Sequence, residues 1–178
     1  EGSPDVQNAM QVAIERNDHL NHFMRNFADI VRLPAPQKEL VNINELVQNI
    51  ARLMEFNARQ REIDFEFELA SEPVLIQADR QQMEQVLVNV VKNALESIGK
   101  NGQVTFKTTN SPAQLEIRDN GPGIAPEIAD QLFSPFFSTK RNGQGVGLTL
   151  VREIMANHDF GVSLQTEKTG ETVFRVGF

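Results

Sequence analysis

From Val6 the apolar positions fall in steps of four and three: Val6, Met10, Ala13, Leu20, Met24, Phe27 and Val31, with polar Asn17 in the same series. That spacing predicts one long helix carrying a heptad seam. Ile14, Phe23 and Ile30 widen the stripe, which suits a bundle of four helices better than a two-stranded zipper. Asn17 at a seam position can fix register at some cost in stability. Pro34 and Pro36 end the helix near Leu33, because each lacks a donor and pushes the residue before it out of helical angles. A stiff linker, 34–36, follows. A second helix starts near Asn42, whose side chain can cap it while Glu45 reaches back, and its stripe is Ile43, Leu46, Val47, Ile50, Leu53 and Met54. Residues 63–69 alternate strictly and 74–78 form a further apolar run, so two strands are expected. Asp79 caps a long helix to about Ile98, with Met83, Val86, Leu87, Val90, Val91, Ala94, Leu95 and Ile98 inward. Its polar flank holds Gln85, Asn89, Lys92, Asn93 and Glu96. Residues 104–109 and 115–119 read as a hairpin, 126–132 as a short helix and 133–142 as irregular. A glycine-rich run, 143–147, opens a helix over 148–157, and strands at 162–166 and 172–176 close the chain. Several strands with helices on one face predict an α+β two-layer sandwich with a mixed sheet, preceded by the long helix.

Composition narrows the classes. At 178 residues and 40% hydrophobic content the chain can bury a real core. It holds no apolar run near the ~18 residues that cross a bilayer. With no cysteine, disulfides and thiolate metal sites are excluded, which fits a reducing cytoplasm. A net charge of −7 argues against nucleic acid as a partner, since a reader of phosphate backbones carries a basic face. Any phosphate it binds must be met locally. The opening Glu1-Gly2-Ser3-Pro4 and the absence of an initiator Met suggest a fragment of a longer parent, and a membrane anchor elsewhere in that parent is compatible with this segment.

Candidate chemistry lies at three places. Asp119 ends a strand and runs into Asn120-Gly121-Pro122-Gly123-Ile124, where the glycines permit backbone angles and approaches that a Cβ would block. A carboxylate at that rim can accept from an exocyclic amine such as adenine's, although Asn-Gly and Pro-Gly are also ordinary turn dipeptides. Asn89 and Asn93 lie one helical turn apart with Lys92 beside them, a set suited to a magnesium-bound triphosphate but equally at home on a solvated flank. Gly143-Gln144-Gly145-Val146-Gly147 running into a helix offers backbone donors and a positive helix end to phosphate. It matches neither a Walker loop nor the dinucleotide fingerprint. Between these, Phe133, Phe136 and Phe137 look like anchors of a lid, and Lys140 and Arg141 could reach phosphates.

In order, Asn89-x-x-Lys92-Asn93, Asp119-Asn-Gly-Pro-Gly123, Phe133-Ser-Pro-Phe136 and Gly143-Gln-Gly-Val-Gly147 resemble the N, G1, F and G2 boxes of two-component sensor histidine kinases. The resemblance covers about residues 37–178 and implies the Bergerat fold shared with gyrase, heat-shock chaperone and mismatch-repair ATPases. It implies a division into 1–36, the second helix of a dimerisation bundle with its linker, and 37–178, a catalytic ATP-binding domain. Those ATPases place an acidic residue where Asn89 stands, so its absence favours phosphoryl transfer over hydrolysis. By the resemblance, Asp119 reads adenine, Gly121, Gly123 and Ile124 shape the adenine loop, Asn93 holds Mg2+, and Asn89 and Lys92 meet phosphates. Gly143, Gly145 and Gly147 hinge the lid, and Phe133, Thr139, Lys140, Arg141, Gln144, Val146 and Leu148 complete the ATP site. Arg32-Leu-Pro-Ala-Pro36 is similar to the junction of nitrogen-regulation type kinases. Gln144, in place of a small hydroxyl residue, and Phe160, where glycine is frequent, depart from the pattern.

The expected function is transfer of the γ-phosphoryl of Mg-ATP to a histidine on a dimerisation helix absent from this segment, with a response regulator downstream. The family's acceptor is a histidine followed by an acid on the first dimerisation helix. Of His19, His22 and His158, only His158-Asp159 has that order, and its place after the G2 helix suggests a helix-end cation instead. The second reading is a non-catalytic module in which ATP orders the lid and changes a partner's affinity. Label transfer to a separate acceptor domain distinguishes the two.

Overall fold

The computed structural model describes residues 6–14, 16–17, 21, 24, 33–140, 145–168 and 170–178. Most of the seam's second half, with His19 and His22, lies outside these residues, as do Arg141, Asn142, Gly143 and Gln144. The chain forms two compact units, Glu1–Pro34 and Ala35–Phe178. In the first, the described residues 6–14, 16–17, 21 and 24 are helical.

The second unit runs β1 (Glu39–Asn42), α1 (Ile43–Arg59), β2 (Ile63–Glu68), β3 (Leu75–Ala78), α2 (Arg80–Ile98), β4 (Gly102–Asn110), β5 (Ala113–Asp119), a 3-10 turn (Pro126–Gln131), α3 (Gly147–Asn157), β6 (Gly161–Lys168) and β7 (Glu171–Gly177). Both long helices start on the side chains expected. Asn42 Oδ1 accepts from Asn44 N at 3.1 Å, and Asp79 Oδ1 accepts from Gln82 N at 3.1 Å, each meeting a donor that the first turn leaves unpaired.

Five strands form one mixed sheet in the order β2-β4-β5-β7-β6, with β2 parallel to β4 and the other pairs antiparallel. β1 and β3 pair separately, so the run at 74–78 leaves the main sheet for a partner that the apolar pattern did not reveal. The three helices pack on one face of the sheet, α2 between α1 and α3. The sheet register places Phe67, Phe106, Ile117, Phe174 and Leu164 in one row under them. Phe106, Ile117 and Phe174 are buried, and Phe67 stacks on Phe106 with ring centres 5.4 Å apart. Full burial of a side chain such as Phe106, Ile117 or Phe174 stabilises the fold by ~1.5–3 kcal/mol. The stripe of α1 is narrower than its sequence suggests. Leu53 is 66% exposed, as is Phe56 three residues on at 69%, while Ile50 and Met54 are buried, so the buried stripe passes to one side of Leu53.

The opposite face of the sheet is ionic. Glu116 accepts from Arg175 Nε at 2.7 Å and from Arg118 Nε at 3.0 Å, and Arg118 also reaches Glu171. Burial works to raise the Glu116 pKa, but hydrogen bonds and charge from the two arginines outweigh it and hold the group below its ordinary value.

Candidate functional site

α2 is the spine of the site. Val86, Val90, Val91 and Ala94 fix it to the core, which leaves the opposite flank in a set position. On that flank Asn89, Asn93 and Ser97 recur at every fourth residue, about 6 Å apart along the axis at 1.5 Å per residue. Each meets a different loop. Gly147 lies against Asn89 so closely that a Cβ there would stand 2.8 Å from Asn89 Oδ1. Asn93 Oδ1 accepts from Lys140 Nζ at 3.1 Å. Ser97 and Asp119 flank Gly121, where a Cβ would meet Ser97 Oγ at 2.9 Å and Asp119 Oδ1 at 2.7 Å.

The Ser97 end is built around a buried carboxylate. Asp119 is 8% exposed, and Gly121 N donates to its Oδ1 at 3.0 Å. Burial pushes its pKa up to about 6, and the Gly121 hydrogen bond only partly opposes that. In the sheet register Asp119 stands opposite Thr172, whose Oγ1 is buried and has no hydrogen-bond partner among the described residues. A carboxylate with spare lone pairs beside a buried hydroxyl that no described residue bonds is an arrangement able to receive a polar group. The loop after Asp119 is tied to β6, since Ile124 N donates to Thr166 Oγ1 at 2.7 Å.

The Asn89 end faces the start of α3. Among the described residues no side chain caps that start, and Val146 at the N-cap is itself buried, so the first turn brings backbone donors together with the positive end of the helix. Gly145, at φ +65°, is held by the phenylalanine segment: Phe136 N donates to Gly145 O at 3.0 Å, and a Cβ on Gly145 would lie 2.3 Å from the Phe136 carbonyl carbon. Phe136 itself has a positive φ of 66° and is 49% exposed, so it contributes backbone shape more than core. Lys140, at the end of this segment, bonds Asn93 and also Glu96 on the same flank of α2. A cation therefore already rests on Asn93 Oδ1.

Asn89, Asn93, Asp119, Gly121, Lys140, Gly145, Val146 and Gly147 thus converge on one flank of α2 and the loops around it. Gly123, Ile124, Phe133, Thr139 and Leu148 lie in those loops or the first turn of α3, while Arg141, Gly143 and Gln144 lie outside the described residues. Lys92 stands apart. Its Nζ is 3.9 Å from Glu96 Oε1, and it lines a groove between α1 and α2 with Met54, Asn57 and Arg61. Ser97 and Thr172 were missed by the sequence reading. The fourfold spacing from Asn89 through Asn93 pointed to Ser97, whereas Thr172 depends on strand register and carried no local signal.

His158 is not a helix-end cation. It is 2% exposed; its Nε2 accepts from Asp79 N at 3.0 Å, and its Nδ1 lies 2.7 Å from Ile154 O. A backbone N–H only donates, so Nε2 carries the lone pair, Nδ1 carries the proton and the ring is neutral.

Residues 78–178 match the family of histidine kinase-, DNA gyrase B-, and HSP90-like ATPases. The chain belongs to that family, and its two-layer α+β architecture is the fold of histidine kinase catalytic domains. The nucleotide-free catalytic domain of histidine kinase ThkA is 33% identical and superposes with a TM-score of 0.70 over 79% of this chain and 95% of that one. ThkA in complex with the response regulator TrrA matches 99% of this chain and 52% of that one at 26% identity, TM-score 0.74. Among curated proteins, sensor protein FixL of Bradyrhizobium diazoefficiens is 30% identical over 97% of this chain and 35% of its own length. Sensor histidine kinase ZraS of Escherichia coli K12 is 30% identical over 92% of this chain and 36% of its own. The chain spans about a third of the length of these relatives. Among the described residues no helix is long and apolar enough to cross a membrane.

Proposed function

We propose that residues 37–178 bind Mg-ATP along the flank of α2 and present its γ-phosphoryl group to a histidine on a dimerisation helix carried elsewhere in the parent protein. The observation that carries this reading is the pairing, along one helix flank, of a buried under-bonded carboxylate at Ser97 with a helix start at Asn89 that no described side chain caps. The separation from Asn89 to Ser97 is about 12 Å at 1.5 Å per residue, a span suited to a nucleoside triphosphate.

Asp119 accepts from the adenine amine, and Thr172 Oγ1 offers a donor or acceptor to the ring edge. The first backbone N–H groups of α3, Asn89 and Lys140 meet the phosphates, while Lys92, in the groove between α1 and α2, is left out of the site. Asn93 is the protein's ligand for magnesium. Among the described residues no group of three or more His, Cys, Asp or Glu can hold a metal alone, so the ion would take its remaining ligands from phosphate and water. Magnesium supplies charge neutralisation of the phosphates. The chain contributes position: α2 fixes the nucleotide's length, α3 its anionic end, and residues 133–140 exclude water over the phosphates. His158 is unsuited as acceptor, because both ring nitrogens are engaged and buried. Partners under this reading are ATP and ADP, a histidine-bearing dimerisation domain and, through the full-length kinase, a response regulator. ThkA, known in complex with a response regulator, supports that last partner by kinship.

The test mixes this chain with a separately produced histidine-bearing dimerisation domain, magnesium and γ-labelled ATP. Acid-labile, alkali-stable label on the acceptor domain is expected, and none on this chain alone. Nucleotide binding without transfer to any cognate acceptor would favour the non-catalytic module instead.

A further inference from the structure

Three parts of the catalytic unit distant in sequence are joined at His158. Its Nε2 accepts from the backbone of Asp79, the N-cap of α2, and its Nδ1 donates to Ile154 O in the last turn of α3. The Asp79 carboxylate is divided: Oδ1 caps α2 through Gln82 N, and Oδ2 accepts from Gln37 N at 2.9 Å. Gln37 and Lys38 continue the linker from 34–36 into β1, and Lys38 closes the circuit, since its Nζ donates to His158 O at 3.3 Å and lies 3.7 Å from Asp159 Oδ2. Phe160 stacks on the imidazole with ring centres 5.4 Å apart and meets Phe178 edge-on, so the ring has no room to turn away.

This circuit lies at the end of α3 opposite the site. α3 is a rod of 11 residues, about 16 Å long at 1.5 Å per residue, with Gly147 pressed on Asn89 at one end and His158 bonded to Asp79 at the other. α2 and α3 are therefore pinned to each other twice, and the distal pin also holds the linker that leads to the N-terminal unit. We propose that His158 is a positioning residue for nucleotide binding: through Asp79 and Lys38 it sets where α3 starts, and so couples the linker at residues 37–38 to the phosphate end of the site. The inference rests on the nucleotide reading above. A linker displacement that pulls Gln37 from Asp79 and Lys38 from His158 loosens the distal pin and shifts Gly147 relative to Asn89. By reciprocity, nucleotide at the Gly147 end tightens the linker.

The experiment measures hydrogen exchange at residues 37–38 and 79 with and without a non-hydrolysable ATP analogue, together with analogue affinity, for the wild type, His158→Gln and Lys38→Met. Lys38→Met tests the circuit without disturbing the core, because the Lys38 side chain is 36% exposed. Expected are slower exchange at 37–38 on adding the analogue to the wild type, loss of that response in both variants, and analogue binding about fivefold weaker, the low end of common coupling, at unchanged melting temperature for Lys38→Met. A histidine that only fills the core would change stability in His158→Gln without altering the linker's response to nucleotide. If the analogue binds the wild type, yet the linker's exchange ignores it or Lys38→Met binds as tightly as wild type, the coupling is overturned. If the wild type binds no analogue at all, the nucleotide reading falls, and this inference falls with it.

Discussion

Replacing Asp119 by Asn should make the protein more stable and a poorer nucleotide binder at the same time. Burial raises the Asp119 pKa from 3.8 to about 6, so the folded state holds this proton more tightly than the unfolded chain does. The linkage sign follows: the group's contribution is most favourable below pH 3.8 and is lost as pH rises through about 6. At about 1.4 kcal/mol per pH unit, ionised Asp119 costs the empty protein at most ~3 kcal/mol at neutral pH. Asn keeps an oxygen for Gly121 N, which now donates to Asp119 Oδ1 at 3.0 Å, but carries no charge to desolvate. Denaturant titrations of both proteins between pH 4 and 7, without nucleotide, should show the wild type losing stability across that window and Asp119→Asn nearly flat, with the variant ahead at pH 7. Calorimetry should show the opposite order for ATP. An amide donor facing the adenine amine leaves a hydrogen bond unmade, worth ~1–3 kcal/mol, or roughly tenfold to hundredfold in affinity. A variant no more stable than wild type at pH 7, or one with the same slope between pH 4 and 6, would refute the account of this carboxylate as held ready for a ligand. Equal ATP affinities would refute its role in reading adenine.

Glu116→Gln should behave in the opposite sense, since the arginines hold the Glu116 pKa low: it should lower stability at pH 7 by ~1–3 kcal/mol and remove part of the wild type's loss below about pH 4.5, checked by thermal melts across pH 3–7. Gly147→Ala places a Cβ 2.8 Å from Asn89 Oδ1, so ATP affinity should fall while far-ultraviolet circular dichroism stays unchanged. Asn42→Ala removes the cap of α1 and should cost ~1 kcal/mol in urea denaturation without affecting nucleotide binding. Glu96→Gln weakens the hold on Lys140, so exchange in residues 133–140 should quicken without nucleotide and slow again with it; unchanged exchange in both states counts against a lid.

The legible parts of the sequence were those governed by local rules. α2 and its polar flank follow from the helical period, and both long helices begin at Asn42 and Asp79 because a side-chain acceptor there is worth a hydrogen bond to the first turn. Long-range pairing was not legible. β1 has four residues and no alternation long enough to read, and it exists through its ladder with β3. Thr172 faces Asp119 only because β5 and β7 pair in one register. His158 looked like a helix-end cation because nothing in its neighbours announces that Asp79, distant in sequence, donates to it. Leu53 fitted a helical stripe yet is mostly exposed, since period alone says which face a residue lies on and not how far the opposing surface extends.

The two ends of the site differ in what carries them. Asp119 and Thr172 sit on paired strands, while Lys140 is held on an irregular segment and α3 begins beside a glycine. A fragment no larger than a purine, bearing one donor for Asp119, should therefore find its pocket already shaped and lose little affinity to ordering the protein. Extending it towards Asn89 adds contacts but requires residues 133–140 to settle around them, so each added heavy atom should return less binding energy than those of the purine core. Small heteroaromatic inhibitors of this chain should accordingly show their highest ligand efficiency before they grow into the phosphate end.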